Sequence, residues 1–209
     1  MDFYFGRWSG NSSRAAFGLF ESGCAFKPRE LDVRGDENRT PKYLAVNPMG
    51  KIPTLVADSI TLWESNAINW YVAEKTPQAR LLPSSLEGRA SVQRWLFFQS
   101  AHVTPASVPV FRAINPRVQA FWHLKPGPVP EASRKELSRF LPVLESALEG
   151  RDWLEKEFSL ADIAYTPHLW ILADGGYDFS ALPRVRAWLQ RCIERPAWKK
   201  VADLIFTEI

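Results

Sequence analysis

The sequence predicts an α/β layer followed by an all-helical part. Three observations carry this. Short apolar runs alternate with helical patterns up to Lys75. A stretch with two prolines and no periodicity follows, from Thr76 to Ser85. Beyond it the patterns are helical, with no convincing strand.

Phe3-Tyr4-Phe5, ending at Gly6, reads as the first strand, and Arg7 to Asn11 as a polar loop. Ser12 to Ser22 places Ala15, Ala16, Leu19 and Phe20 at helical spacing, with Gly23 as the stop. Phe26 to Val33 alternates weakly as a second strand. A charged loop follows from Arg34, and Thr40-Pro41 opens a short helix with proline in its first turn. Thr54 to Ala57 and Thr61 to Trp63 form a hairpin about Asp58-Ser59, and Glu64 to Lys75 is the third helix. The order β-α-β-α-β-β-α suits an α/β layer.

In the second part a helix rich in bulky residues runs from Leu86 to about His102. Thr104 to Pro109 carries two prolines and is expected to break or kink it. Val110 to Leu124 is helical up to the Pro126-Gly127-Pro128 cluster. Glu131 to Glu149 is a long helix closed by Gly150, and shorter helices follow over Leu182 to Glu194 and Ala197 to Ile205. The expected division is residues 1–76, a linker over 77–85, and a helical domain over 86–209.

Bulk properties exclude several classes. A chain of 209 residues with 46% hydrophobic residues has material for a sizeable core. The net charge is +3 and scattered, so no nucleic-acid stripe or polybasic membrane anchor is expected. No basic-then-apolar leader opens the chain and no apolar run approaches a membrane span, which predicts a soluble, cytoplasmic protein. Cys24 and Cys192 form no CxxC pair, and His102, His123 and His168 lack metal-ligand spacing; neither dithiol chemistry nor a metal is expected.

The chemistry concentrates in Asn47-Pro48-Met49-Gly50-Lys51-Ile52-Pro53-Thr54-Leu55 and in Glu64-Ser65. The first run reads as a tight turn, an Ile-Pro junction and a short strand. A cis Ile52-Pro53 bond would turn the Ile52 backbone outward, where an extended peptide can pair with it as an added strand does. Glu64 and Ser65 open a helix, whose free N–H groups suit a carboxylate, while Glu64 suits an ammonium. A short peptide with one end both carboxylate and amine fits this set. Downstream, Ser159 and Asp162 in Phe158-Ser159-Leu160-Ala161-Asp162-Ile163 form a capping box, a folding device rather than a chemical one.

The run NPMGKIPTLV with the later ES pair, together with SLADI, resembles the cytosolic glutathione S-transferase family, nearest to bacterial theta-, beta- and nu-like members. The resemblance extends over essentially the whole chain. It implies a thioredoxin-like N-terminal domain that binds glutathione and an all-α C-terminal domain carrying a hydrophobic substrate site. It implies conjugation of the glutathione thiolate to a small apolar electrophile, with disulfide or peroxide reduction by bound glutathione as a further activity. A non-catalytic module for ligands or partner proteins is the alternative. A homodimer is implied, with Asn66 to Tyr71 and Arg89 to Phe97 as candidate surfaces.

By the same resemblance the thiolate donor lies in the loop after the first strand. Ser9 falls where theta, zeta and delta members place a catalytic serine. Asn11 falls where beta members have cysteine, and Ser9-Gly10-Asn11 is similar to the nu-class Thr-x-Asn; Ser12 is third. Ile52 beside Pro53 would pair with the cysteinyl unit, and Glu64 and Ser65 would take the γ-glutamyl end. Lys51, Arg39 and Asn38 are candidates for the glycine carboxylate, although Asn38 stands where some members have histidine. Trp8, Phe111 and Tyr165 lead the candidates for the apolar site's walls. A redox role for Cys24 is disfavoured, because it follows the first helix instead of preceding it.

Overall fold

The structure, a computed structural model, describes residues 1–207. Two compact units emerge: residues 1–81 together with the chain from Pro196 onward, and residues 82–195.

In the first unit β1 (Asp2–Phe5), β2 (Lys27–Glu30), β3 (Thr54–Ala57) and β4 (Ile60–Trp63) form one sheet in the order β2-β1-β3-β4. β1 pairs parallel to β2 and antiparallel to β3, with Phe3 opposite Pro28 and Leu55. Alternation in β1 sends Phe3 and Phe5 into the core. The second strand is shorter than Phe26 to Val33. Its residues are exposed and it carries Lys27, Pro28 and Arg29, as suits a sheet edge that must resist further pairing.

α1 (Gly10–Ser22) begins two residues before the expected Ser12, because Ser9 supplies the N-cap, and it ends as expected at Gly23, whose φ is +69°. α2 (Pro41–Leu44) is capped by Thr40, with Pro41 in its first turn. α3 (Ser65–Lys75) packs along α1.

In the second unit the described residues contain helices and no strand: α4 (Leu86–Phe98), α5 (Thr104–Ile114), α6 (Pro116–Trp122), α7 (Glu131–Ala147), α8 (Leu160–Asp174) and α9 (Pro183–Ile193). Over Thr104 to Pro109 the chain stays helical, and the irregularity falls just ahead of it. A π-helical turn, Gln99–Val103, joins α4 to α5, with Thr104 N–H donating to the Gln99 carbonyl. Its wider backbone ahead of Pro105 relieves the clash that a proline ring makes with a regular preceding turn. The capping box forms as expected: Ser159 Oγ accepts from Ala161 N–H at 3.2 Å, and Asp162 Oδ2 accepts from Ser159 N–H at 3.0 Å.

The expected division is corrected at its far end. α10 (Pro196–Ile205) belongs to the first unit, where it packs on α1 with the Trp198 ring 5.4 Å from that of Phe17. An apolar helical face seeks whichever partner face is nearest in space, and sequence order does not fix that choice. Residues 208 and 209 of the expected helical domain lie outside the described residues.

Candidate active site

The turn after α2 is built by side chains converging on its backbone. Asn47 Oδ1 accepts from Met49 N–H at 3.0 Å, an Asx-turn, and Gly50 takes φ +61°. Asn47 Nδ2 donates to the Lys51 carbonyl at 2.8 Å and to Thr54 Oγ1 at 3.0 Å. Tyr43 Oη donates to the same carbonyl at 2.6 Å, and desolvation pushes the phenol's pKa up, so it stays a donor at neutral pH. Asn38 Nδ2 donates to the Gly50 carbonyl at 2.7 Å, and Arg39 Nη1 to the Met49 carbonyl at 3.4 Å. The Ile52-Pro53 bond is cis. Among the described residues nothing bonds to the Ile52 backbone N–H or carbonyl. With Thr54 in β3, this leaves a peptide edge open beside the sheet.

Two helix starts belong to the same unit as that edge. At α1, Ser9 Oγ accepts from Ser12 N–H at 3.2 Å, which leaves the hydroxyl proton for another acceptor. Asn11 is exposed in the first turn, and its Oδ1 accepts from Arg14 Nη1 at 2.8 Å. No acidic residue occupies that turn, so the positive end of the helix stays uncompensated. At α3, Glu64 sits in the N-cap position with φ +70° and ψ 113°, outside the regions a side-chain-bearing residue prefers, and its exposed side chain makes no capping bond. Such a backbone costs about 1–3 kcal/mol and concentrates at ligand sites. Ser65 is buried, and its Oγ accepts from Arg14 Nη1 at 2.9 Å.

Two segments match family models described as the N-terminal and C-terminal domains of glutathione S-transferase, over residues 2–74 and 98–196. A probable glutathione S-transferase, GSTF2, from Oryza sativa is 31% identical over 98% of this chain and 97% of its own. The chain belongs to the glutathione S-transferase family. The transferase is also 32% identical to glutathione S-transferase F10 of Arabidopsis thaliana, over 92% of each chain. Among solved structures, glutathione S-transferase-I bound with lactoylglutathione superimposes with a TM-score of 0.87 at 28% identity, over 98% of this chain and 99% of that one. The thioredoxin-like N-terminal domain and all-α C-terminal domain are those of the family.

Ser9, Asn11, Lys51, Ile52, Pro53, Glu64 and Ser65 therefore all belong to one unit of the transferase, Ser9 and Asn11 at the first helix start and Glu64 and Ser65 at the second. Five other candidates are buried, with the partners that follow. Ser12 is fully buried and its Oγ accepts from Gly6 N–H at 3.3 Å, which makes it a strut of the loop. Asn38 is buried with a donor committed to Gly50, so it supports the turn. Tyr165 is 1% exposed and its hydroxyl donates to the Trp95 carbonyl at 2.8 Å. Phe111 is buried with its ring 5.8 Å from that of His168. Trp8 is buried 5.3 Å from the Phe206 ring, and its N–H donates to the Ile205 carbonyl. These three large rings have little free surface and pack as core side chains do.

Sequence reasoning assigned no role to Arg14 or Tyr43, and placed Asn47 and Thr54 only in the turn and the strand. The Asn-Pro-x-Gly pattern signals the Asx-turn that Asn47 makes. The i,i+3 spacing of Asn11 and Arg14 signals that they share a helix face. Nothing local signals Tyr43 and Thr54, which meet at 2.8 Å only in the fold.

Proposed function

We propose that this transferase binds glutathione in extended form along the Ile52 edge and conjugates its thiolate to a small apolar electrophile. The observation that carries the reading is the pairing of an unclaimed Ile52 backbone with two helix starts, one offering Ser9 and Asn11 and the other Glu64 and Ser65. The cysteinyl unit pairs with Ile52. The γ-glutamyl end goes to Glu64 and Ser65, which explains why a strained backbone is kept at Glu64. Lys51 and Arg39, both exposed, serve the glycine carboxylate.

The chemical step needs the thiol ionised. Lowering a cysteine thiol by two pKa units takes roughly 2.7 kcal/mol of preferential anion stabilisation. Ser9 O–H and Asn11 N–H at the positive end of α1 supply donors of that kind. The thiolate then attacks an electrophilic carbon of the second substrate, forming the C–S bond as the leaving group departs or the double bond shifts.

The enzyme works as a homodimer in the cytoplasm. Support for the dimer is the uncovered apolar surface of Phe97 and Leu86 on α4 and Val143 on α7, with Phe97 70% exposed. Phe97→Glu is expected to give monomers in light scattering. Support for the compartment is that both cysteines are free thiols. No helix among the described residues is long and apolar enough to cross a membrane.

The test is a conjugation assay with Ser9→Ala, Asn11→Ala and the double variant. The double variant should lose about a hundredfold or more in kcat. An unchanged rate in the double variant, with glutathione still bound, overturns the assignment. Retention on immobilised glutathione without turnover of any electrophile favours a binding module.

A further inference from the structure

We infer that Arg14 is a positioning residue that sets the donor faces of both ends of the glutathione site at once; the inference rests on the reading of Asn11 and Ser65 as glutathione contacts. Arg14 lies on α1, is 3% exposed, and sends Nη1 to Asn11 Oδ1 at 2.8 Å and to Ser65 Oγ at 2.9 Å. A guanidinium has donors only, so both partners must accept from it. That fact fixes two orientations the sequence leaves open. With Oδ1 held by Arg14, the amide of Asn11 has its Nδ2 donors, and not its acceptor, left for an anion. With a lone pair of Oγ held by Arg14, the Ser65 hydroxyl proton is left to give to a carboxylate.

Both consequences match a ligand that is anionic at the sulfur and at the γ-glutamyl carboxylate. Without Arg14, Asn11 is free to flip its amide and Ser65 to turn its proton inward, and those orientations present a lone pair to an anion. The guanidinium also places a delocalised positive charge in a water-poor setting between the two helix starts, where its field favours thiolate over thiol.

The second side of the anchorage comes from the backbone. Asn69 Nδ2, on α3, donates to the Arg14 carbonyl at 2.9 Å. Arg14 therefore joins α1 to α3 twice, once through its side chain at Ser65 and once through its main chain at Asn69. The two arms of the site are thus held at one spacing by one residue. A buried arginine costs desolvation unless its donors are used, and here two polar side chains of the site use them.

The experiment is a mutant cycle on Arg14→Met, Arg14→Lys, Asn11→Ala and Ser65→Ala, read by glutathione titration calorimetry and by the pH profile of kcat/KM. Arg14→Met removes the donors but keeps the stem, and should weaken glutathione binding about tenfold and move the acid limb of the pH profile upward. In the Asn11→Ala, Ser65→Ala background the same substitution should cost little further glutathione affinity, because the two side chains it orients are gone. Arg14→Lys keeps the charge and loses the fork, so it should restore the pH profile in part and the affinity hardly at all. Equal losses from Arg14→Met in both backgrounds, or an unmoved pH profile, overturn the inference. Where Arg14→Met does not fold, Arg14→Lys decides: it keeps the charge and loses the fork, so glutathione affinity must fall in the wild-type background and hardly at all in the Asn11→Ala, Ser65→Ala background, and equal losses in both overturn the inference. If instead Asn11→Ala and Ser65→Ala leave binding unchanged, the site reading itself fails, independently of Arg14.

Discussion

Asn69 on α3 lies against the bare α-carbon of Gly18 on α1: a β-carbon at Gly18 would stand 2.2 Å from Asn69 Oδ1. The amide cannot simply swing away, because its Nδ2 is bonded to the Arg14 carbonyl. Gly18→Ala should therefore destabilise the protein by about 1–3 kcal/mol through overpacking, although alanine is the better helix former by about 1 kcal/mol. A fall in the denaturant midpoint with unchanged slope is the expected result; a rise would show that the two helices separate freely.

Asn47→Ala removes the donor to the Lys51 carbonyl and to Thr54 Oγ1, and the acceptor for Met49 N–H. Tyr43 still holds the carbonyl, so the fold should survive with a loss of about 1–3 kcal/mol. Because the Ile52 edge is then less well placed, KM for glutathione should rise more than kcat falls. Steady-state kinetics with glutathione as the varied substrate measures that split.

Asp162 is fully buried and accepts from Leu154 N–H at 3.0 Å, Ser159 N–H at 3.0 Å and Trp188 Nε1 at 2.8 Å. Asp162→Ala strands all three donors and should cost about 3 kcal/mol or more, seen as a large drop in the unfolding midpoint. Burial pushes this carboxyl up from 3.8 to about 6, against those hydrogen bonds, which lower it. The folded chain thus holds the proton more tightly than the unfolded one, and stability from this group falls as pH rises from about 4 through about 6. Wild type minus Asp162→Asn, measured by unfolding across that window, should shrink toward neutral pH.

Tyr165→Phe removes only the hydroxyl that donates to the Trp95 carbonyl. A loss of about 1 kcal/mol is expected, with the relative rates on different apolar electrophiles unchanged. A changed order of substrates would return Tyr165 to the wall of the apolar site.

Local patterns alone disclosed most of the framework. The order of strands and helices up to Lys75, the cap at Gly23, the Ser159–Asp162 box and the Ile52-Pro53 turn all depend on residues within a few positions of one another. What local patterns did not disclose depends on meetings at long range. Trp8 lies in a loop, which suggests a ligand wall, but the chain's end returns with Ile205 and Phe206 to cover it. The two prolines of Thr104 to Pro109 suggest a break, but the preceding π-helical turn takes up the misfit.

The sequence by itself determined which residue types this transferase has for its chemistry and where each helix start offers them, because capping and turn formation are settled by neighbours along the chain. Tertiary structure alone decided which of those residues keep a free face. Ser12, the Asn38 amide nitrogen and Tyr165 bond the backbone of Gly6, Gly50 and Trp95, whereas Ser9, Asn11 and the Ile52 edge keep a face open. The physical reason is that most buried polar groups take a partner, and which partner they take is fixed by packing in three dimensions.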